Sequence, residues 1–298
     1  MTPPVLFIIF NRPETTAKVF GEIRKARPRQ LYIGADGPRS NKDLDKCGRA
    51  LKIATSVDWD CEVHILPHKK NLGCGKAVRQ SINWFFSNVE QGIILEDDCV
   101  PDQSFFPFCE TMLDRYKDDN RIMMISGTNF LYNKPDTIHN SYYFSKYFPV
   151  WGWATWSRAW RLYDTTCNHP DLSKIYHHQK LERLITSMIN DYRNKRLDTW
   201  DIQWLCTCLM NDGLAIIPKY NLISNIGSIG THTRKSGISN TMPVRSIDTT
   251  VLKHPERIEQ DMKTDQMAFD EITKQSHLDF IASIKKRIFG NILKPVIE

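Results

Sequence analysis

The sequence predicts an α/β fold of the Rossmann-like kind, a mostly parallel central sheet flanked by helices. Three observations carry this reading. Short apolar runs recur through the first hundred residues: VLFIIF (5–10), QLYIGADG (30–37), DCEVHILPH (60–68) and GIILEDD (92–98). Stretches with helical periodicity separate them. Each run ends in turn residues or carboxylates. Strands that read as apolar on both faces, joined by helical crossovers, belong to parallel sheets covered on both sides.

The elements follow in order. VLFIIF is the first strand, and RPETTAKVFGEIRKAR (12–27) the first helix, with Pro13 in the early position that proline favours. The second strand is 30–37, and residues 41–56 form a helix starting near Asn41. The third strand is 60–68. GKAVRQSINWFFSNV (75–89) is a helix with an apolar stripe at Val78, Ile82, Phe85 and Phe86. The fourth strand runs into Glu96, Asp97 and Asp98. Beyond it come a helix over 102–119 capped by Asp102 or Ser104, and a strand within IMMISGTNF (122–130). An aromatic-dense stretch (141–163) and a polar helical region (171–197) follow. An apolar helix in TWDIQWLCTCLMNDG (199–213) closes at Gly213, and LAIIPKYNLISNIG (214–227) is strand and loop.

Composition narrows the function classes. The 298 residues are 41% hydrophobic, enough for a sizeable core. Net charge is +6, from 40 basic and 34 acidic residues. That balance suits phosphates or an anionic surface and does not call for nucleic acid. Acids clustered at a strand end would also repel a phosphate backbone. The eight cysteines show no CxxC spacing, so a reducing compartment without a disulfide framework is expected. The run 5–10 is too short for a signal peptide, and no stretch approaches the roughly 20 apolar residues of a membrane span. A cytoplasmic protein is the expectation. Residues 276–298 place Leu278, Ile281, Ile284, Ile288 and Ile292 at helical spacing around Lys285, Lys286 and Arg287. Such a basic amphipathic tail helix either lies peripherally in a membrane interface or packs on the domain.

In a parallel sheet, ligands bind at the carboxyl ends of the strands. Asn11 and Arg12, Asp36 and Gly37, Asn71, and Glu96–Asp98 all fall there. Three consecutive carboxylates repel one another unless a cation offsets them. A hard divalent ion, Mn2+ or Mg2+, takes oxygen ligands and is commonly held by one or two carboxylates together with substrate phosphates. Successive strand side chains point to opposite faces, so the three acids cannot all touch one ion. Asp98, nearest the loop, is the expected metal ligand, with Glu96 and Asp97 acting around the ion or on a ribose. Acids preceding SFFPF would also favour a helix N-terminus on their own.

FIIFNRPETT, YIGADGPR, NLGCGKAVRQSINWFF, GIILEDDCVPDQSFF, YFPVWGWATWSRAW and WDIQW together resemble metal-dependent nucleotide-sugar glycosyltransferases of the GT-A fold, of the N-acetylglucosaminyltransferase I type and its bacterial relatives. The resemblance runs over residues 4–233. It implies a GT-A domain over 1–275, with a nucleotide-binding half (1–100) and a sugar and acceptor half (101–245). It also implies a nucleotide-diphosphate sugar donor, a glycan or lipid-linked acceptor, and a place in bacterial polysaccharide or lipopolysaccharide synthesis. By position, Asp98 matches the metal ligand, and Glu96 and Asp97 the acids near the donor sugar and ribose. Arg12 and Asp36 match nucleotide contacts, and Asp201 the catalytic base. Gln80 stands where the family has a histidine, which leaves the nucleotide base open.

Chemistry asks for the same residue types. Inverting transfer needs one carboxylate to deprotonate the acceptor and positive charge on the departing diphosphate. Asp201, between Trp200 and Trp204, is a desolvated candidate, and equally a helix cap. Trp151, Trp153 and Trp156 offer sugar-stacking faces or core volume. Gly152 suggests a close backbone approach to a ligand. His232 is a candidate second metal ligand, with Arg234 and Lys235 as a diphosphate clamp. Lys76 in NLGCGK reaches toward phosphate although the P-loop spacing is absent. A sugar nucleotidyltransferase would carry a glycine-rich loop after the first strand, which FNRPETT lacks. A non-catalytic carbohydrate-binding protein would leave the strand-end acids without a role.

Overall fold

A computed structural model of the chain describes residues 1–227 and 241–274. Its first part alternates strand and helix: β1 (Val5–Ile9), α1 (Pro13–Ala26), β2 (Gln30–Ala35), α2 (Asn41–Ala54), β3 (Glu62–Pro67), α3 (Cys74–Phe86) and β4 (Gln91–Glu96). Then come β5 (Cys99–Pro101), α4 (Phe105–Arg115), β6 (Ile122–Ser126), β7 (Tyr142–Ser145), β8 (Trp153–Trp156) and α5 (Ser157–Trp160). The described chain continues with α6 (Leu172–Tyr176), α7 (Gln179–Arg193), α8 (Asp201–Met210), β9 (Leu214–Pro218) and β10 (Ile223–Asn225), and residues 262–274 form a last described helix, α9.

Eight strands make one mixed sheet in the order β3-β2-β1-β4-β8-β6-β9-β7. The strands β1 to β4 pair in parallel, as the sequence predicts. β8 departs from that pattern: it inserts between β4 and β6, antiparallel to both. A two-stranded ribbon of β5 and β10 stands apart from the main sheet.

Every residue of β1 is buried, and alternation along it divides the core. Val5, Phe7 and Ile9 face the layer of α1, α2 and α4, whereas Leu6 and Ile8 face the layer that includes α3, α8 and α9. α1 seats on the first layer through Val19, Phe20 and Ile23. α3 seats on the second through Val78, Ile82, Phe85 and Phe86, the stripe read from its spacing.

Three expectations are corrected here. β3 is not a buried strand: Glu62 to Ile65 are exposed, because among the described residues β3 is the sheet edge and pairs only with β2. The polar stretch 171–197 is two helices, broken at His177, whose backbone is left-handed at φ 47°. Gly152 serves the core rather than a ligand. Its φ is +60°, and a Cβ there would lie 2.4 Å from the Ile223 side chain and 3.2 Å from Leu95.

No described helix is long and apolar enough to cross a membrane. The tail 276–298 lies outside the described residues.

Gly152→Ala therefore meets both a strained backbone and an occupied space, and should lower stability by about 1–3 kcal/mol in urea denaturation. A midpoint equal to the parent's would show that the bend is tolerant. Asp265 supplies a pH test. It is buried on α9 and accepts bonds from Ser145 Oγ (2.5 Å), the Lys146 amide (3.0 Å) and Gln260 Nε2 (2.7 Å). Burial pushes its carboxyl up to about 6 against those donors. The folded state then holds a proton that the unfolded chain has released. Stability should fall as pH rises from the ordinary carboxyl range to about 6. Asp265→Asn should make that slope shallower, measured as Tm against pH.

Candidate active site

The chain winds outward from β1 to β2 and β3, then returns to place β4 on the other side of β1. The order reverses between β1 and β4, and ligand crevices of α/β sheets open at such a point. Here Ile8 pairs with Glu96, so the segments leaving β1 and β4 emerge side by side. A cavity of about 490 Å³ opens at these ends, within the usual range for small-molecule sites.

Arg12 joins the two segments. It leads into α1, where Pro13 occupies the first turn. One guanidinium nitrogen bonds Asp98 Oδ2 at 2.7 Å and another bonds Asp97 Oδ1. Asp97 is almost fully buried and also accepts the Phe10 amide at 3.1 Å. Burial opposes the charge on Arg12, but the two carboxylates outweigh it and raise its pKa. Burial likewise pushes the Asp97 carboxyl up, while Arg12 and the Phe10 amide pull it back. Among the described residues Glu96 has no such direct partner: burial, reinforced by Asp98, pushes its carboxyl up to about 8.

The second wall of the cavity is Asp36, at the end of β2. It accepts from Asn71 Nδ2 (2.6 Å) and the amides of Leu72 (2.9 Å) and Gly37 (2.8 Å). Its pKa is raised by burial in spite of these donors. Next to it Arg39 forks onto Asp43, with Nε 2.7 Å from Oδ2, and lies 5.1 Å over the Phe10 ring. Asn11 bonds the same Asp43 at 2.7 Å. The Arg39 fork holds the Asp43 carboxyl well below its usual range.

The third contribution comes from the approach to α8. Asp201, the first residue of that helix, accepts through Oδ1 from Thr199 Oγ1 and from the Ile202 amide (2.8 Å). Among the described residues, its Oδ2 takes no hydrogen bond. Asp198 reaches the start of α3, accepting the Gly75 amide at 3.1 Å. A Cβ at Gly73, whose φ is +82°, would sit 2.5 Å from Asp198 Oδ2. Only glycine lets the two segments meet this closely.

Of the residues singled out in sequence, Arg12, Asp36, Glu96, Asp97, Asp98 and Asp201 line this one cavity. Trp153 does not: it is buried and stacked on Trp200, with ring centroids 5.6 Å apart, while Trp151 lines the wall. Gln80 borders a separate surface cavity with Arg79 and Asn83. Lys76 is exposed in the first turn of α3. His232, Arg234 and Lys235 lie outside the described residues. Sequence reasoning missed Arg39, Asp43 and Asp198. Arg39 was findable as a base in the turn right after the second strand. Asp198 carried no local signal.

A divalent ion can be tested against the donors present. Among the described residues, no three His, Cys, Asp or Glu side chains cluster to hold a metal. At the end of β4, Asp98 offers a carboxylate that it shares with Arg12, with Glu96 and Asp97 beside it. That donor set fits an ion completed by substrate phosphate oxygens and does not fit an all-protein cage.

No protein-family model matches the chain, and no curated protein matches it. Among solved structures, HddC from Yersinia pseudotuberculosis overlaps 41% of this chain at 8% identity and a TM-score of 0.29. The chain spans 56% of HddC's length. Mouse xyloside xylosyltransferase 1, in its apo form, overlaps 70% of this chain and 82% of its own, at 9% identity and a TM-score of 0.34. Similarities this low carry no argument about this chain.

Arg12→Met leaves Asp97 buried without its cation. Loss of one partner of a buried pair should cost about 3–5 kcal/mol, read as a lower urea midpoint. An unchanged midpoint would mean that the amide bond alone suffices for Asp97.

Proposed function

We propose that this chain is a nucleotide-sugar glycosyltransferase with a GT-A-like arrangement. It transfers a sugar from a nucleotide-diphosphate donor to a hydroxyl of a glycan or lipid-linked acceptor, with inversion. The observation that supports this is the single cavity at the β1/β4 switch point. It gathers strand-end carboxylates, two arginines and the separate carboxylate of Asp201. The absence of glycine in the loop after β1 favours transfer to a hydroxyl over nucleotidyl transfer.

In this reading Asp36 and the Asn71 segment hold the nucleoside, since a carboxylate and an amide suit ribose hydroxyls and base edges. Arg12 and Arg39 take the diphosphate as charge-assisted donors. Mn2+ or Mg2+ held at Asp98 would neutralise charge on the departing diphosphate. Asp201 Oδ2 receives the proton of the acceptor hydroxyl as its oxygen bonds the anomeric carbon and the carbon–diphosphate bond breaks. The Thr199 hydroxyl and Ile202 amide fix the other carboxylate oxygen and so aim the base. Trp151 and Val150 add apolar surface to the cavity wall.

The test is thermal stability with UDP, GDP, CDP and TDP, each with and without Mn2+. One diphosphate should stabilise, and only with metal, by about 2.7 kcal/mol at a hundredfold excess over Kd. Asp98→Ala should lose this shift. Asp201→Asn should keep it and lose transfer by about 10²–10⁴-fold. No shift with any nucleotide would overturn the donor site, and normal transfer by Asp201→Asn would overturn the base.

A further inference from the structure

Two thiols far apart in sequence meet inside the protein. Cys167 and Cys206 are 39 positions apart, and their sulfurs are 2.8 Å from each other. Both are almost completely buried. All eight cysteines are free, and among the described residues no other two cysteine sulfurs share a hydrogen bond. Cys206 sits on α8, five residues beyond Asp201. Cys167 lies in the turn after Tyr163, and its backbone is left-handed at φ 56°.

We propose that Cys167 and Cys206 form a reversible dithiol–disulfide centre, oxidised by hydrogen peroxide, that ties the 164–168 turn to the helix presenting Asp201. Three features carry this beyond mere proximity. The sulfurs need only close from 2.8 Å to about 2.05 Å to bond. The turn is open to solvent on either side of Cys167, because Asp164, Thr165, Thr166 and Asn168 are exposed. A local opening of that turn therefore brings the thiol to a small oxidant without unfolding α8. The surroundings also favour one sulfur as the attacking group. The bond to Cys206 holds the Cys167 thiol below its usual range, with Arg193 nearby lending positive charge. Arg193 is held over the turn through its bond to the Cys167 carbonyl at 3.1 Å.

The step balances. The Cys167 thiolate attacks one peroxide oxygen, and the O–O bond breaks. The leaving oxygen departs as water after taking a proton, which leaves a sulfenic acid at Cys167. The Cys206 sulfur then displaces the sulfenic hydroxyl as a second water, and the sulfur–sulfur bond forms. Two thiols and one peroxide give one disulfide and two waters. A dithiol reductant reverses the reaction by exchange.

The experiment treats the full chain with limiting hydrogen peroxide and maps its peptides without reduction. The expected product is lighter by two hydrogen atoms and yields the Cys167 peptide joined to the Cys206 peptide. Dithiothreitol should restore the starting mass, and the oxidised form should melt at a higher temperature than the reduced one. Cys167→Ser, confirmed folded by circular dichroism, should show no cross-link. The proposal is overturned if peroxide only adds oxygen to the more accessible Cys47, Cys61 or Cys74. It is also overturned if Cys167 passes to the sulfinic acid with Cys206 still free. Should the serine variant not fold, the peptide map of the parent chain decides alone.

Discussion

The grip of Arg12 on Asp97 and Asp98 is the contact on which the site depends. β1 and β4 run parallel and end together, so whatever leaves them must emerge side by side. Three consecutive carboxylates at that point would force the segments apart. One guanidinium offsets two of them and holds the start of α1 against the end of β4. Asp97 is spent on this clamp and on the Phe10 amide, and lies out of reach of solvent. Asp98 remains at the cavity wall. Glu96, which makes no ion pair among the described residues, is the acid most pushed toward its neutral form, since desolvation and the Asp98 charge outweigh the pull of Arg12.

The rest of the cavity is held by the core beneath it. Trp153 stacks on Trp200 and packs with Trp160 and Trp204, all of them buried. Trp200 is also part of the cavity wall and immediately precedes Asp201. Large aromatic rings in fixed contact leave little freedom at the start of α8. The same segment is latched to α3 through Asp198 and the glycines at 73 and 75. Packing energy in one layer of the fold thus sets where a single carboxylate points.

The parts of this architecture legible in the sequence are those encoded locally. Five buried residues in a row mark β1, and a four-residue apolar stripe marks α3, because period and burial are written in neighbouring positions. The strand-end placement of Arg12, Asp36 and Asp98 follows once the strands are known. Legibility failed where a partner decides. β3 has the apolar pattern of an inner strand, yet among the described residues no strand lies beyond it, and Glu62 to Ile65 stay exposed. Trp151 and Trp153 share a parity that would put both on one face of a strand. Gly152, left-handed between them, turns the chain so that one meets the cavity and the other the core.

By itself the sequence determined an α/β sheet of parallel leading strands and the carboxylates and arginine that stand at their ends. These depend on short-range periodicity and on where each run stops. Tertiary structure alone decided the antiparallel insertion of β8, the pairing of Arg12 with Asp97 and Asp98, the meeting of Asp198 with the start of α3, and the contact of Cys167 with Cys206. Each joins residues far apart in the chain. Such contacts form only when the sheet order is set, because their energy comes from burial and approach that no local segment contains.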